Sequence, residues 1–127
     1  MSKIKPVLTI VSPCFNEIYN IKDCYEEVKK IFELEPLNQY LREHIIVDDF
    51  STDGTKEILI ELAKNDKRIK VIFNARNFGV YRTSYHGLKY ATGSVIVPML
   101  PVDLQDPPEF INEMLKNGLY CYILFIF

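Results

Sequence analysis

Short runs of β-branched and apolar residues alternate along the chain with longer stretches whose apolar positions recur at helical spacing. Val7-Leu8-Thr9-Ile10-Val11 reads as a buried strand, with Pro13 ending it. Ile18, Ile21, Tyr25, Val28 and Phe32 follow at helical intervals, which predicts a helix over 20–34 closed by Pro36. Ile45-Ile46-Val47 predicts a second strand stopped by Asp48-Asp49, and Ser51-Thr52-Asp53-Gly54 is turn chemistry leading into a helix with Ile58, Leu59 and Leu62 inward. Ile69 to Phe73 gives a third strand. Tyr81, Ser84, Tyr85, Leu88 and Ala91 then mark the inner face of a third helix, with Gly93 as its C′ residue. Ser94 to Met99 reads as a fourth strand. Asp106-Pro107-Pro108-Glu109 opens a fourth helix as a proline-started capping box, Asp106 at the N-cap, with Phe110, Ile111, Met114 and Leu115 facing inward.

Repeated βα units with near-continuous apolar strands predict an α/β fold, a Rossmann-like parallel sheet covered by helices. The ending breaks the order. Leu119 to Phe127 (LYCYILFIF) would be a fifth strand with no helix after it, and a strand so apolar needs burial on both faces. The expectation is therefore a single partial domain over 1–127, truncated or altered at its end, with an apolar tail over 117–127.

Composition narrows the function classes. The 127 residues are 48% hydrophobic and 25% charged, values of a folded domain. Fifteen Lys and Arg against 17 Asp and Glu give a net charge of -2, which offers no field for a phosphate polymer and argues against nucleic acid as a partner. The charge-free run Asn117–Phe127 is shorter than the about 20 apolar residues that cross a bilayer. No basic-then-apolar leader precedes Val7, so a cytoplasmic location is expected. Cys14, Cys24 and Cys121 form no CxxC pair and read as small apolar residues rather than a metal or redox site.

In an open parallel sheet, ligands bind beyond the carboxyl ends of the strands, where strand order reverses. Those ends are Ser12-Pro13-Cys14-Phe15-Asn16-Glu17, Asp48-Asp49, Asn74 to Gly79, and Leu100 to Gln105. Acidic and amide groups collect there four times over. No GxGxxG follows the first strand and no GxxxxGK[ST] occurs, so neither a dinucleotide fingerprint nor a P-loop is present. An acidic pair after the second strand, rather than the first, also argues against a phosphoacceptor receiver. A diphosphate at this edge needs a divalent cation or Arg/Lys between it and the carboxylates.

The segments SPCFNE (12–17), IIVDDFSTDGT (45–55), RNFG (76–79) and VDLQDPPEFI (102–111) resemble family-2 glycosyltransferases of the GT-A fold. The likeness covers about 6–116 and is strongest to the branch containing polyisoprenyl-phosphate glycosyltransferases such as dolichyl-phosphate mannose synthase. It implies transfer of a sugar from a UDP- or GDP-linked donor with inversion, assisted by Mg²⁺ or Mn²⁺. It also implies as acceptor a lipid phosphate or a cell-surface glycan precursor, and the expected location extends to the periphery of the cytoplasmic membrane face. By the same resemblance Pro13, Phe15, Glu17 and the Asp48-Asp49 pair match the nucleoside pocket, and Asp103 matches the second acid of the DxD metal motif. Pro101 stands where many members carry the first acid, and the family's base and acceptor region lie beyond Phe127, so no catalytic base is assigned in this chain.

The residues support definite but separable roles. Asp103 and Gln105, two apart, share a side in extended backbone and could hold a hard cation with diphosphate oxygens and water. Of Asp48 and Asp49, one faces the crevice and the other bonds the Ser51–Gly54 turn, and the sequence leaves open which. Phe15 either stacks on a base or packs in the core. Glu17 either contacts the nucleoside or favours the adjacent helix N-terminus. Arg76 either reaches phosphate or sits solvated in its loop. His44 and His86 are read as structural. Two other functions compete with sugar transfer: a non-catalytic nucleotide-binding or interaction module, and an α/β domain that binds no nucleotide. The apolar tail is expected to seek a membrane surface or a second copy.

Overall fold

The computed structural model describes residues 4–117. Four strands, β1 (Val7–Cys14), β2 (Leu41–Asp48), β3 (Ile69–Phe73) and β4 (Val95–Val97), form one all-parallel sheet in the order β3-β2-β1-β4. The helices are α1 (Ile21–Ile31), α2 (Thr55–Asn65), α3 (Val80–Leu88) and α4 (Phe110–Asn117), with a 3₁₀ turn at Leu37–Gln39. The expected α/β architecture is therefore present. The Leu119–Phe127 segment, read above as a fifth strand and tail, lies outside the described residues. Among the described residues no helix is long and apolar enough to cross a membrane.

Alternation along β1 and β2 sorts the core into two layers. Leu8, Ile10, Cys14 and Ile46 face one side, where they meet Ile21, Cys24 and Val28 of α1, Leu59 of α2 and Ile111 of α4. Val11, Ile45 and Val47 face the other side, against Leu88 and Ala91. The chain steps from β1 to β2 to β3 and then crosses back, through α3, to the far side of β1. The switch point thus falls between β1 and β4.

Several elements differ from the sequence pattern for identifiable reasons. Pro13 does not end β1; it pairs with Val47 inside it. The carbonyls of Pro6 and Cys14 bond toward β2, whereas those of Val7 and Val11 bond toward the β4 side. Odd positions therefore address β4, whose pairing with β1 stops at Ile10, so the N–H that Pro13 lacks has no ladder partner to lose. Helix α1 ends at Ile31 in a turn closed by Glu33 N–H to Lys30 O and Leu34 N–H to Ile31 O, before Pro36 is reached. Strand β2 starts four residues earlier than Ile45 because its first polar residues are buried with partners. Arg42 pairs with Asp66 at 2.6 Å, and Glu43 accepts from Lys70, Thr9 and Thr92.

The inner face of α3 keeps Ser84, Leu88 and the following Ala91 of the expected set but not its tyrosines. Tyr81 and Tyr85 are 66% and 59% exposed, while Thr83, Ser84 and Gly87 are buried. A Cβ at Gly87 would lie 2.6 Å from Val11 Cγ1 and 2.8 Å from Val47 Cγ2, so small residues are what let the helix lie close on the sheet. Gly93 is not a C′ residue either. The helix ends at Leu88, and a Cβ at Gly93 would meet the Thr9 backbone N at 2.8 Å. In α4 the capping box is replaced by successive i→i−3 bonds from Phe110, Ile111 and Asn112 to Pro107, Pro108 and Glu109. Ile111 is buried there, but Phe110 is 47% exposed rather than inward.

Burial pushes the Cys14 and Cys24 thiols up, Cys24 to about 12, which fits their reading as inert core groups. His44 is fully buried in β2, with Nε2 2.8 Å from Ser12 Oγ. Burial, reinforced by the Arg42 charge, lowers its pKa from 6.5 to about 3. A histidine depressed in the folded state binds its proton more readily unfolded, so its effect is absent above pH 6.5 and stability falls as pH drops from there toward 3. The expected slope is about 1.4 kcal/mol per pH unit below 6. Urea midpoints measured from pH 7.5 to 5 should decline in wild type. His44→Gln, which keeps an amide to meet Ser12, should flatten that limb; an unchanged limb would assign the acid sensitivity elsewhere.

Candidate functional site

The cleft lies at the switch point, beyond the carboxyl ends of β1 and β4. Its volume is about 360 Å³, and its walls include Pro13, Phe15, Glu17, Asp49, Gly79 and Asp103. Four chain segments are thereby brought together from across the sequence. The sequence reading placed ligands at this edge, and the strand topology provides the crevice there.

The first wall is the end of β1 and the loop that follows it at 15–17, and the Ser51–Thr55 turn holds that loop. Asn16, in a left-handed conformation at φ 51, donates its N–H to Ser51 Oγ at 2.8 Å and accepts from Thr52 N–H through Oδ1 at 2.8 Å. Glu17 N–H donates to Thr55 Oγ1, and Ile18 N–H donates to Asp53 Oδ2. Gly54 takes φ +100, and a Cβ there would sit 2.9 Å from Ile18 Cδ1. The STDGT stretch is thus a latch for the loop that carries Phe15. Phe15 is 49% exposed at the cleft, so it is not a core residue. Glu17 lines the cleft half-buried, its Oε2 accepting from Asn20 Nδ2 at 2.7 Å.

The two aspartates separate cleanly. Asp48 is buried, takes no part in the cleft wall, and accepts from Ser51 N–H at 3.0 Å. Asp49 is the one that faces the crevice. Its Oδ1 accepts from Asn74 Nδ2 at 2.9 Å and Phe78 N–H at 2.8 Å, and its Oδ2 from Gly79 N–H at 2.8 Å. Burial raises its pKa, but the bonds from Asn74, Phe78 and Gly79 outweigh that and hold it below the ordinary aspartate value. A carboxylate offers about four lone-pair sites, so one on Oδ2 stays free for a ligand.

The sequence assigns no individual role to Asn74, Asn77, Gly79 or Thr83, although Asn74 to Gly79 is a strand end and Asn77 and Gly79 fall within the RNFG segment. Asn74 links Asp49 to Thr83 Oγ1 and to His86 Nδ1. Gly79, at φ +91, turns the chain into α3 so that Gly79, Val80 and Thr83 floor the cleft. A glycine between an aspartate-bound loop and a helix start was the available signal. Arg76 does not reach the cleft; it is exposed and stacks over the Phe78 ring at 4.3 Å.

The 101–106 stretch is a turn, not extended backbone. Leu104 has φ 59, and its N–H bonds to Pro101 O at 3.3 Å. Asp103 and Gln105 are consequently not held to one side by strand alternation. Asp103 lines the cleft, whereas Gln105 is exposed outside it and donates its N–H to Asp103 Oδ1 at 3.2 Å. Among the described residues no group of three or more His, Cys, Asp or Glu gathers around a metal position. One carboxylate beside an open cleft still fits Mg²⁺ or Mn²⁺, which are commonly held by one or two carboxylates, substrate phosphates and water. The donor set therefore fits a cation carried in with a diphosphate rather than one caged by protein.

The family model for glycosyl transferase family 2 matches residues 9–117. The chain belongs to that family. It is 39% identical over 109 residues to the uncharacterized glycosyltransferase YkcC of Bacillus subtilis (strain 168), covering 86% of this chain and 32% of that protein. It is 37% identical over 110 residues to a prophage bactoprenol glucosyl transferase homolog of Escherichia coli (strain K12), covering 87% of this chain and 35% of the relative. Among solved structures it matches the mannosyltransferase PcManGT from Pyrobaculum calidifontis, in complex with GDP-Man and Mn²⁺. That match has a TM-score of 0.66 at 24% identity and covers 89% of this chain and 32% of that one. The fold is that of the GT-A glycosyltransferases. The chain spans about a third of the length of the curated relatives it matches.

Proposed function

We propose that this chain forms the donor-binding part of an inverting glycosyltransferase, taking a UDP- or GDP-linked sugar and serving a polyisoprenyl-phosphate acceptor. The observation that carries the reading is the convergence of Phe15, Glu17, Asp49 and Asp103 on one switch-point cleft. Phe15 offers an exposed ring for the base, a contact worth about 1–3 kcal/mol. Glu17 and the free lone pair of Asp49 are acceptors for base N–H or ribose hydroxyl groups. The first turn of α3, opening at Gly79 on the cleft floor, supplies partial positive charge toward a diphosphate. Asp103 would hold a divalent cation that, when bound, offsets charge on the leaving diphosphate. In the displacement an acceptor oxygen bonds the anomeric carbon as its bond to the nucleoside diphosphate breaks. The bactoprenol glucosyl transferase name of the Escherichia coli relative supports a lipid acceptor.

Calorimetry with UDP and GDP, each with and without Mn²⁺, tests the assignment. Binding of at least one nucleotide is expected, strengthened about tenfold or more by the metal, a gain of about 1.4 kcal/mol. Asp103→Ala should abolish that gain while leaving metal-free binding in place. Metal-independent binding in wild type would remove Asp103 from the cation role, and no binding of either nucleotide would remove the proposal.

A further inference from the structure

Charge is segregated along this chain in a way the donor site does not use. Between Asp66 and Asp103 the sequence holds Lys67, Arg68, Lys70, Arg76, Arg82 and Lys89 and not one carboxylate, although the whole chain is acidic at -2. The structure gathers part of this segment on the outer side of α3. Tyr81, Tyr85 and Lys89 follow at four-residue intervals, and all are exposed, as is Arg82 beside them. Tyr90, just past the helix, is 53% exposed, and Phe78, just before it, is 37% exposed. Lys89 Nζ lies 5.5 Å from the centre of the Tyr85 ring, so cation and phenol occupy the same patch. A groove of about 440 Å³ runs beside it between Phe73, Phe78, Arg82 and His86.

We infer that this outer face of α3 seats the protein on an anionic lipid surface. Tyrosine rings have an apolar body and a polar tip and settle at the headgroup level, while neighbouring Arg and Lys meet lipid phosphates. Two exposed tyrosines on a helix stripe, with Tyr90 exposed just past it, favour a bilayer over a nucleic acid, because a chain of net negative charge has no extended basic track for a polyanion. The inference rests on the proposed lipid-phosphate acceptor in one respect. The same helix floors the cleft through Gly79, Val80 and Thr83, so a headgroup at this face is delivered beside the donor.

The test is co-sedimentation of the full chain, without nucleotide, with vesicles of phosphatidylcholine alone or of equal parts phosphatidylcholine and phosphatidylglycerol. Salt-sensitive binding to the anionic vesicles is expected. Arg82→Glu combined with Lys89→Glu should weaken it about tenfold or more. Tyr81→Ser with Tyr85→Ser should weaken it several-fold and leave its salt dependence in place. Lys64→Glu, on α2, makes the same kind of charge change away from the face and should leave binding within about twofold. Circular dichroism melts verify that these surface variants are folded. Equal binding to both vesicle types, indifference to the α3 variants, or tighter binding to a single-stranded oligonucleotide than to vesicles would each overturn the inference. Nucleotide calorimetry in lipid-free buffer reads the donor site separately, so the two readings fail independently.

Discussion

Gly87→Ala is expected to destabilise the domain by about 2–3 kcal/mol, although the same change on an ordinary helix gains about 1 kcal/mol from propensity. The sign is the diagnostic. The added methyl would meet Val11 Cγ1 at 2.6 Å and Val47 Cγ2 at 2.8 Å, both on fully buried residues of the two central strands. Valine methyls sit one bond from Cβ and cannot swing away, so the helix must lift off the sheet. Lifting α3 also displaces Gly79 and Thr83 from the cleft floor, and nucleotide affinity should fall together with stability. Urea unfolding gives the first quantity and calorimetry the second. A stabilised Gly87→Ala variant would show that α3 does not lie on the sheet as described.

The second large effect belongs to Asp49, and its neighbour is the control. Asp49→Ala removes the acceptor for Phe78 N–H, Gly79 N–H and Asn74 Nδ2 at once. Bonds to a charged acceptor are each worth about 1.5–3 kcal/mol, and the orphaned backbone donors add their own desolvation cost. A loss of about 3 kcal/mol in stability and more than tenfold in nucleotide affinity is expected. Asp48→Ala removes a single bond from Ser51 N–H and lies outside the cleft wall, so its effect on binding should be several times smaller. The acid response follows the same logic. Asp49 is held below its ordinary pKa when folded, so its contribution is complete above about pH 4 and disappears as pH falls through the lowered value. Equal binding losses for the two substitutions would contradict the separation of their roles.

Much of this arrangement is legible in the residues, and the exceptions share a cause. Apolar runs located β3 to the residue, and turn chemistry found the start of α2, because in both cases the local pattern and the tertiary environment agree. On α3 the pattern puts Ser84 and Leu88 inward, as found, but takes Tyr81 and Tyr85 with them. Hydrophobicity favours the tyrosines, but tight packing on a parallel sheet requires Thr83, Ser84 and Gly87, and only the sheet's shape decides. Similarly, β2 hides its first residues because Arg42, Glu43 and His44 are buried through pairing rather than apolarity. At the cleft, strand-end position indicated the edge, and the family resemblance pointed to Pro13, Phe15, Glu17, the Asp48-Asp49 pair and Asp103, of which all but Asp48 line the crevice. Arg76, Gln105 and Asp48 failed to join them because side-chain direction there depends on left-handed turns at Leu104 and Phe50 and on loop bonds that pattern does not encode.

The central claim is that a nucleoside diphosphate occupies the cleft between the ends of β1 and β4. Backbone amide shifts of the labelled chain, followed by NMR as UDP or GDP is added with Mg²⁺, locate the ligand directly. The predicted result is saturable movement of the Phe15, Glu17, Asn77, Gly79, Val80 and Asp103 amides, with the amides of the Arg42–Asp66 edge at the opposite end of the sheet unmoved. Saturable shifts that instead gather at the Phe73–Arg82 groove, or at the opposite edge, would contradict it.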